Sequence, residues 1–361
     1  MKIINYQVEM LDVADADAFI VYYITDDNKK HLVMIDAGRH GNGEKIVKHL
    51  HTYYSGIPVE LAIVTHPDDD HYGGFVYMLQ LMESKAENAV TINKFWINDP
   101  RNHINVADVE EDIQKKTLEK RLADIYVADG VSLLSLIEKL KIPYKEAFAE
   151  KEKVYRNMDD WHLISKWVCK ESSQVGFTIL GPTIDYFKSV CQDFRYEHVN
   201  VTERAEKDDP VDSEDFKDTD VCLSKVLDEA GDDGSDHNRS SIIVLFQPAD
   251  GKKYLFTGDA SVPSFENMTN IHKNLCKDIH WLKVPHHGSM YNLNSAWILH
   301  FKPKVAYIST ARIGKFLNQC VVNALKKVNA DVYCSHKNHG GLLNNSFQNR
   351  FGWSSKYVTK S

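Results

Sequence analysis

A dense cluster of histidines and aspartates lies in the segment AIVTHPDDDHYGG, residues 62–74. His66, Asp68, Asp70 and His71 follow an apolar run in the order H-x-D-x-D-H. Carboxylates this close repel one another and raise each other's pKa unless a cation neutralises them. Because a divalent cation neutralises them directly, and two cations do so better, the cluster indicates a metal site. A solvated acidic turn is the alternative, although such turns seldom carry a histidine on each side.

Two later segments also carry ligand-type residues where predicted strands end. Asp259 ends the strand in YLFTGDAS, and His286 and His287 end the strand in LKVPHHGS. Taken alone, Gly-Asp after a strand is typical of a turn, and a His-His pair can be structural. Since each segment delivers its residues to the same edge of one sheet system, we expect all three to share one cation site.

The elements that must position these residues follow an α/β pattern. Short runs of apolar, β-branched or aromatic residues predict strands, among them AFIVYYIT, KHLVMIDAG, ELAIVTH, SSIIVLFQ and IHWLKVP. Helical spacing of apolar residues predicts helices such as GEKIVKHLHTYY and VVNALKKV. Strands come first and helices alternate with them later. This order predicts two sheets packed face to face with helices outside, a four-layer αββα sandwich with a helical insertion.

We expect a single domain over residues 1–361, with two parts that depart from this pattern. From about residue 100 to 170 the chain is charged and mainly helical, which we interpret as an insertion or a lid-bearing segment. Residues from about 203 to 237 are rich in Asp, Glu and Ser and have a poor apolar pattern. That composition favours an acidic, flexible surface loop, either a plain tether or a regulatory segment.

Composition narrows the class of protein. A hydrophobic content of 43% is ample for a sizeable core. The net charge of -8 argues against nucleic-acid binding by a global positive field, although a local basic groove stays possible. The six cysteines have no CxxC spacing, which indicates reduced thiols rather than a disulfide framework or a zinc ribbon. The start MKIINYQVEM has no signal core and no run approaches a membrane span, so we expect a cytoplasmic protein without a membrane partner.

The ordered set of motifs resembles metallo-β-lactamase-fold hydrolases, most of all the nuclease-like domain of ComEC/Rec2-type DNA-uptake proteins. That branch carries LDVGQGDA, IDAG, HxDxDHxGG, NxxS, TGD and HHGS in this order. The present chain carries LDVADADA (11–18), IDAG (35–38), HPDDDHYGG (66–74), NRSS (238–241), TGD (257–259) and HHGS (286–289). The resemblance spans nearly the whole chain apart from the helical stretch and the acidic loop.

The resemblance implies two divalent metal ions, Mn²⁺ or Zn²⁺, with Mg²⁺ possible. One ion would be held by His66 and Asp68, and the other by Asp70, His71 and His286, with Asp259 bridging both. The usual fold has a histidine in the place of Asp68, and the harder oxygen ligand shifts the preference from zinc towards manganese or magnesium. The first ion lacks an evident third histidine. Asn238 or a water would fill that place, with His198 and His237 as weaker alternatives.

The resemblance also implies roles around the metals. Asp70 would orient a hydroxide that bridges the two ions, and His287 would be catalytic, since it lies where a phosphoryl oxygen could be met; holding the loop is its alternative role. Asp36 would orient the metal loop from behind the ligands. Candidate substrate-binding residues are Asn238, Ser289, His336 and His339. Two departures bear on these roles. Ala14-Asp15-Ala16 replaces Gly-Gln-Gly, and Asn318 stands where related nucleases have the histidine of a GHP motif.

These implications lead to one principal functional hypothesis and two alternatives. The principal hypothesis is a metal-dependent hydrolase of phosphodiester bonds, a DNA or RNA nuclease whose nucleophile is the bridging hydroxide. The first alternative is a hydrolase of a small phosphodiester, an ester or a lactone, with the helical segment narrowing the cleft. The second is a partner-dependent effector subunit of a multi-protein defence or DNA-processing system. There the helical insertion or the acidic loop would dock a protein partner. The oligomeric state is left open.

Overall fold

The computed structural model describes residues 3–108, 112–149, 176–193, 227–310, 317–335 and 342–343. Within these ranges the chain forms two large sheets, a short hairpin and flanking helices. The strands are β1 Ile3–Met10, β2 Ala18–Thr25, β3 Lys30–Ala37, β4 Leu61–Val64, β5 Phe95–Ile97, β6 Val127–Ala128, β7 Val131–Ser132, β8 Tyr144–Lys145, β9 Gly176–Gly181, β10 Ile243–Gln247, β11 Tyr254–Phe256, β12 Trp281–Lys283, β13 Val305–Ile308, β14 Asp331–Cys334 and β15 Leu342–Leu343.

The helices lie between and after these strands. They are α1 Gly43–Tyr54, α2 Asp69–Glu83, α3 Asp112–Asp124, α4 Leu133–Lys139, α5 Ile184–Asp193, α6 Asp236–Arg239, α7 Val262–Glu266, α8 Asn270–Leu275, α9 Ser295–Phe301 and α10 Gln319–Lys327. Short 3₁₀ turns occur at His40–Asn42, Pro100–Asn102, Val106–Asp108 and His286–Gly288. Across the described ranges, we find no helix with both the length and the apolar character that a bilayer crossing requires.

The two sheets have mixed strand directions. The first sheet has the order β15-β1-β2-β3-β4-β5-β8 and the second has the order β14-β13-β12-β11-β10-β9. Strands β3, β4, β5 and β8 run parallel, as do β11, β12, β13 and β14. Parallel strands end at one edge of their sheet, so the residues that follow β3 and β4 come together, as do those that follow β11 and β12.

Three apolar clusters separate four layers of structure. Alternate side chains of β2 face opposite ways, because successive residues of a strand point to opposite faces. Phe19, Val21 and Tyr23 pack between the sheets with residues of β9 to β13, whereas Ala18 and Ile20 pack against the first helical layer. A third cluster joins the second sheet to α7, α9 and α10. The predicted four-layer αββα sandwich is thereby confirmed.

The stretch predicted as a helical insertion is described over residues 100–108 and 112–149. It contains α3 and α4, and apolar side chains of α4 belong to the same cluster as those of α2. It also contains β8, which pairs with β5 and lengthens the first sheet. Of the stretch predicted as an acidic loop, residues 227–237 lie within the described part of the chain and residues 203–226 lie outside it.

Two glycines in the first turns of α2 allow this helix to pack closely on the end of β3. A Cβ atom on Gly74 would lie 2.0 Å from the carbonyl oxygen of Ala37, and one on Gly73 would lie 2.3 Å from the backbone nitrogen of His40. Both obstacles are backbone atoms that cannot rotate away. The HPDDDHYGG motif thus ends in Gly-Gly for steric reasons.

We expect Gly74→Ala to lower the free energy of unfolding by about 1–3 kcal/mol, because the added methyl group forces the backbone of α2 away from β3. Urea unfolding followed by circular dichroism measures the effect. Gly41→Ala is the matched control, since a Cβ there meets no atom within 4 Å. An equal loss of stability in both variants would show that the close packing at Gly74 is not the cause.

Candidate metal centre

The H-x-D-x-D-H segment spans the turn between β4 and α2. His66 follows β4, Asp68 lies at the N-terminal cap of α2, and Asp70 and His71 lie in its first turn. His66 and His71 are buried, and their ring centroids lie 4.0 Å apart. The turn at the end of a buried strand therefore directs two imidazoles into one pocket.

Asp36 holds this turn in place through hydrogen bonds on the side away from the pocket. It lies at the end of β3 with a positive φ of 57°, a backbone conformation that is strained for an aspartate and typical of functional sites. Its carboxylate accepts hydrogen bonds from the backbone N–H of Thr65 at 2.8 Å and the Thr65 hydroxyl at 2.7 Å. It also accepts one from Nδ1 of His71 at 2.8 Å. A carboxylate on Nδ1 leaves Nε2 of His71 facing the pocket, the orientation found in histidines that bind metals.

Asp259 lies at the centre of the pocket. It follows β11, and four imidazole Nε2 atoms surround its Oδ2 atom. The distances are 3.4 Å to His71, 3.8 Å to His287, 3.9 Å to His66 and 4.0 Å to His286. Ligand atoms lie about 2.0–2.2 Å from a bound zinc ion, so donors that share an ion lie roughly 3–3.5 Å apart. The spacing around Asp259 is close to that of donors around a shared cation.

The histidine pair after β12 reaches the pocket through an unusual backbone. His286 and His287 both have positive φ angles, 45° and 52°, which turn the chain tightly after Pro285. Nδ1 of His287 donates to the carbonyl oxygen of Ser309 at 2.7 Å. Nδ1 of His286 lies 3.0 Å from Oδ1 of Asn292. Both rings therefore point Nε2 into the pocket, which residues in an extended strand would not do.

The donor set fits divalent cations. Ligand-type atoms of His66, His71 and Asp259 lie within 4.8 Å of one another, and so do those of Asp70, His71 and His287. Within the described ranges, Nε2 of His66 and Nε2 of His71 make no hydrogen bond although both are buried. Buried ring nitrogens normally have a hydrogen-bond partner. A bound cation would satisfy both atoms.

The carboxylates of the pocket remain ionised despite their burial. Burial favours the neutral form of Asp70, but the hydrogen bond from His287 and the charge of His71 hold the pKa of Asp70 at about 2. Burial likewise opposes ionisation of Asp259, yet the charges of Lys283 and the surrounding histidines hold its pKa well below the usual range. The pocket therefore carries negative charge that a cation can neutralise.

The same charges raise the pKa values of two histidines in the pocket. Burial lowers the pKa of His286, but the charge of Asp259 and the hydrogen bond to Asp233 raise it to about 9. Burial also opposes protonation of His71, and the carboxylates of Asp259 and Asp36 raise its pKa well above the usual range. Protons on these rings balance the carboxylates in the metal-free protein, and divalent cations would replace them.

Lys283 is a central residue that the sequence analysis missed. It is buried, and its Nζ atom lies 2.5 Å from Oδ2 of Asp17 and 3.0 Å from Oδ1 of Asp259. It also donates to the carbonyl oxygen of Gly258 at 2.6 Å. By holding Oδ1 of Asp259, the ammonium group leaves Oδ2 facing the four imidazoles. The available signals were a lysine in the apolar strand IHWLKVP and the third aspartate of LDVADADA, Asp17.

The end of the predicted acidic loop also reaches the pocket. Nδ1 of His237, in α6, lies 2.5 Å from Oδ1 of Asp68, whose other oxygen lies 3.4 Å from Nε2 of His66. Asp233 accepts hydrogen bonds from Asn238 at 2.7 Å and Asn292 at 2.9 Å, and lies 3.1 Å from Nδ1 of His286. The sequence analysis named His237 as a weaker ligand candidate and did not identify Asp233.

The remaining candidate residues lie away from the centre of the pocket. The side-chain nitrogen of Asn238 lies 3.4 Å from Nδ1 of His286, on the side of the ring opposite Nε2. The Ser289 hydroxyl accepts from the backbone N–H of Tyr291 at 3.3 Å, a bond within its own loop. Asn318 caps α10 through the backbone N–H of Cys320. His198, His336 and His339 lie outside the described residues.

Comparisons with known proteins show similarity over part of this chain. Residues 19–134 match the family described as the metallo-beta-lactamase superfamily. Over 162 residues, the chain is 29% identical to ComE operon protein 3 of Bacillus subtilis (strain 168). The alignment covers 43% of this chain and 20% of that protein, so the chain matches about a fifth of the length of its relative.

Proposed function

We propose that this chain, which carries a metallo-beta-lactamase superfamily domain, is a two-metal hydrolase of phosphodiester bonds, with DNA or RNA as the substrate. The observation that carries the proposal is the group of four imidazole Nε2 atoms around Oδ2 of Asp259, at 3.4–4.0 Å. The ordered motifs shared with ComEC/Rec2-type nuclease-like domains support the choice of a phosphodiester over other ester substrates.

The geometry favours one assignment of the ligands. His66, Asp68 and Asp259 would hold one cation, and Asp70, His71 and His287 would hold the other together with the same Asp259. We assign His287 to the second cation in place of His286, because Nε2 of His287 lies 3.4 Å from Oδ2 of Asp70. The His286 side chain is 19% exposed against 1% for His287, so His286 is the one placed to reach a substrate at the pocket mouth.

Each residue of the pocket then has a separate task in hydrolysis. Bound divalent cations lower the pKa of a water and stabilise the attacking and leaving oxygens of an in-line displacement. Asp70, ionised at neutral pH, accepts a hydrogen bond from the attacking water and so orients it. Lys283 keeps Asp259 turned towards the cations. The mixture of carboxylate and imidazole donors suits Mn²⁺ or Zn²⁺, with Mg²⁺ as a third candidate.

Activity of the metal-free protein after addition of Mn²⁺, Zn²⁺ or Mg²⁺ tests the proposal. The substrates are linear, circular and single-stranded DNA, RNA, bis-p-nitrophenyl phosphate and p-nitrophenyl acetate. We expect cleavage of the polymers and of bis-p-nitrophenyl phosphate. Cleavage of small substrates alone would favour a small-molecule hydrolase. Metal binding without cleavage of any substrate would favour a partner-dependent subunit.

We expect Asp36→Asn to weaken Mn²⁺ binding by about 10- to 100-fold, because the NH₂ group of an amide cannot replace the second carboxylate oxygen as an acceptor, so the three hydrogen bonds from Thr65 and His71 cannot all be kept. Isothermal titration calorimetry of the metal-free protein measures this change. Asp250→Asn is the control, since Asp250 is an exposed aspartate that bonds Tyr6. Unchanged Mn²⁺ affinity in Asp36→Asn would show that Asp36 does not orient the metal ligands.

A further inference from the structure

We propose that Arg39 recognises the negative charge of the substrate's phosphodiester group and thereby selects anionic esters over neutral ones. The inference rests on the proposed function and names a residue that neither the motifs nor the ligand set includes. Arg39 follows β3, one residue after Gly38, whose φ is 67°. Its backbone N–H donates to Oδ1 of Asn42 at 2.9 Å, so the base of the side chain is fixed next to the pocket.

The guanidinium group lies beside the second proposed cation site. Nη1 of Arg39 donates to Oδ2 of Asp69 at 2.9 Å, and Nη2 lies 3.4 Å from Oδ2 of Asp70. The same oxygen of Asp70 lies 3.4 Å from Nε2 of His287. Arg39 thus contacts one proposed metal ligand, Asp70, and one carboxylate oxygen separates it from a second, His287. Among the lysines and arginines in the described part of the chain, Arg39 forms the ion pairs with the H-x-D-x-D-H segment, through Asp69 and Asp70.

The guanidinium group also has the capacity to bind a ligand. The Arg39 side chain is 51% exposed, and Asp69, its anchor, is 45% exposed. Among the residues that the structure describes, Asp69 accepts the hydrogen bond that the Arg39 guanidinium donates. The other N–H groups of this planar guanidinium can donate to another acceptor. Its fork of N–H groups matches the geometry of phosphate oxygens and binds them bidentately.

A purely structural role explains this arrangement less well. Exposed ion pairs contribute little to stability, so the pair with Asp69 does not by itself account for an arginine at this position. A cation held by Asp70 would neutralise one of the two carboxylates that face Arg39. The guanidinium would then stay bound to Asp69, and its positive charge would attract an anion in the pocket.

Steady-state kinetics of Arg39→Gln, Arg39→Lys and Lys252→Gln test the inference, with bis-p-nitrophenyl phosphate as the substrate. We expect Arg39→Gln to raise KM at least about tenfold while kcat changes less than about threefold, and Arg39→Lys to recover part of the loss. Lys252→Gln, which removes an exposed cation paired with Asp250 away from the proposed site, stays within about threefold of the wild-type KM. Mn²⁺ affinity, measured by calorimetry, stays unchanged in all three variants.

Inhibition by a thymidine dinucleotide separates charge recognition from positioning. The natural phosphodiester is compared with its uncharged methylphosphonate analogue, and we expect Arg39→Gln to lose about tenfold of the preference for the charged inhibitor. A lower kcat with unchanged KM, or an unchanged preference, would overturn the inference while the proposed function stands. Wild-type protein that cleaves no phosphodiester would instead overturn the proposed function, and the inference with it.

Discussion

Asp259→Ala is expected to lower kcat by at least about a thousandfold, because it removes a carboxylate that faces both proposed cation sites. Four imidazole Nε2 atoms lie within 3.4–4.0 Å of Oδ2 of this residue. Its loss would leave those rings without their shared acceptor and would remove a carboxylate placed to hold both cations. Turnover of bis-p-nitrophenyl phosphate with Mn²⁺ measures the effect, and circular dichroism verifies that the fold survives.

Asp250→Ala is the matched control for this experiment. Asp250 lies in the connection between β10 and β11, and its side chain is 40% exposed and paired with Lys252. The control should keep wild-type turnover, since an exposed ion pair contributes little. Activity of Asp259→Ala comparable to that of the control would contradict the bridging role.

The second large effect concerns the stability of the protein. Lys283→Met should lower the free energy of unfolding by about 3–5 kcal/mol, because it leaves two buried carboxylates without their cation. Oδ2 of Asp17 and Oδ1 of Asp259 lie 2.5 and 3.0 Å from the lysine Nζ atom. Urea unfolding in the presence of a chelator measures the loss, since the chelator keeps a divalent ion from replacing the ammonium group.

A compensating variant keeps this prediction testable even if Lys283→Met unfolds. Asp17→Asn in the Lys283→Met background removes one of the two buried negative charges, so the double variant should be more stable than the single variant. Asp17→Asn alone serves as the reference for the cycle. If Lys283→Met were as stable as the wild type, the ammonium group would not be what balances these carboxylates.

The fold was largely predictable because its strands carry a clear periodic signal. The run AFIVYYIT became β2, whose alternate residues face two different apolar layers. The continuous apolar run before His66 became β4, which is buried along its whole length. The predicted helical insertion shows where such reasoning is incomplete. Tyr144 and Lys145 give no strand signal by themselves, and they form β8 because the edge of β5 offers them a partner.

The candidate site was predictable where residue types alone indicate chemistry. His66, Asp68, Asp70 and His71 stood out because closely spaced carboxylates and imidazoles need a cation. The roles of His286 and His287 could not be separated in this way. They are neighbours in sequence, and which ring faces Asp70 depends on the left-handed backbone at both residues.

Other residues were missed because their significance depends on contacts between distant segments. Lys283 reads as an ordinary charged residue until the fold brings Asp17 and Asp259 to its Nζ atom. Asp233 and His237 lie in a stretch whose composition favours a solvated loop, yet they contact His286 and Asp68. Composition describes what a segment can do on average, whereas these pairings arise from packing around the pocket.

The most direct test of the whole account is a crystal structure of the protein grown with Mn²⁺, with anomalous scattering used to locate the ions. We predict two peaks beside Asp259, each within about 2.5 Å of its ligand atoms, one next to His66 and the other next to Asp70 and His287. A pocket without metal density in the presence of Mn²⁺, or a 286–287 segment far from residues 66–71, would contradict it.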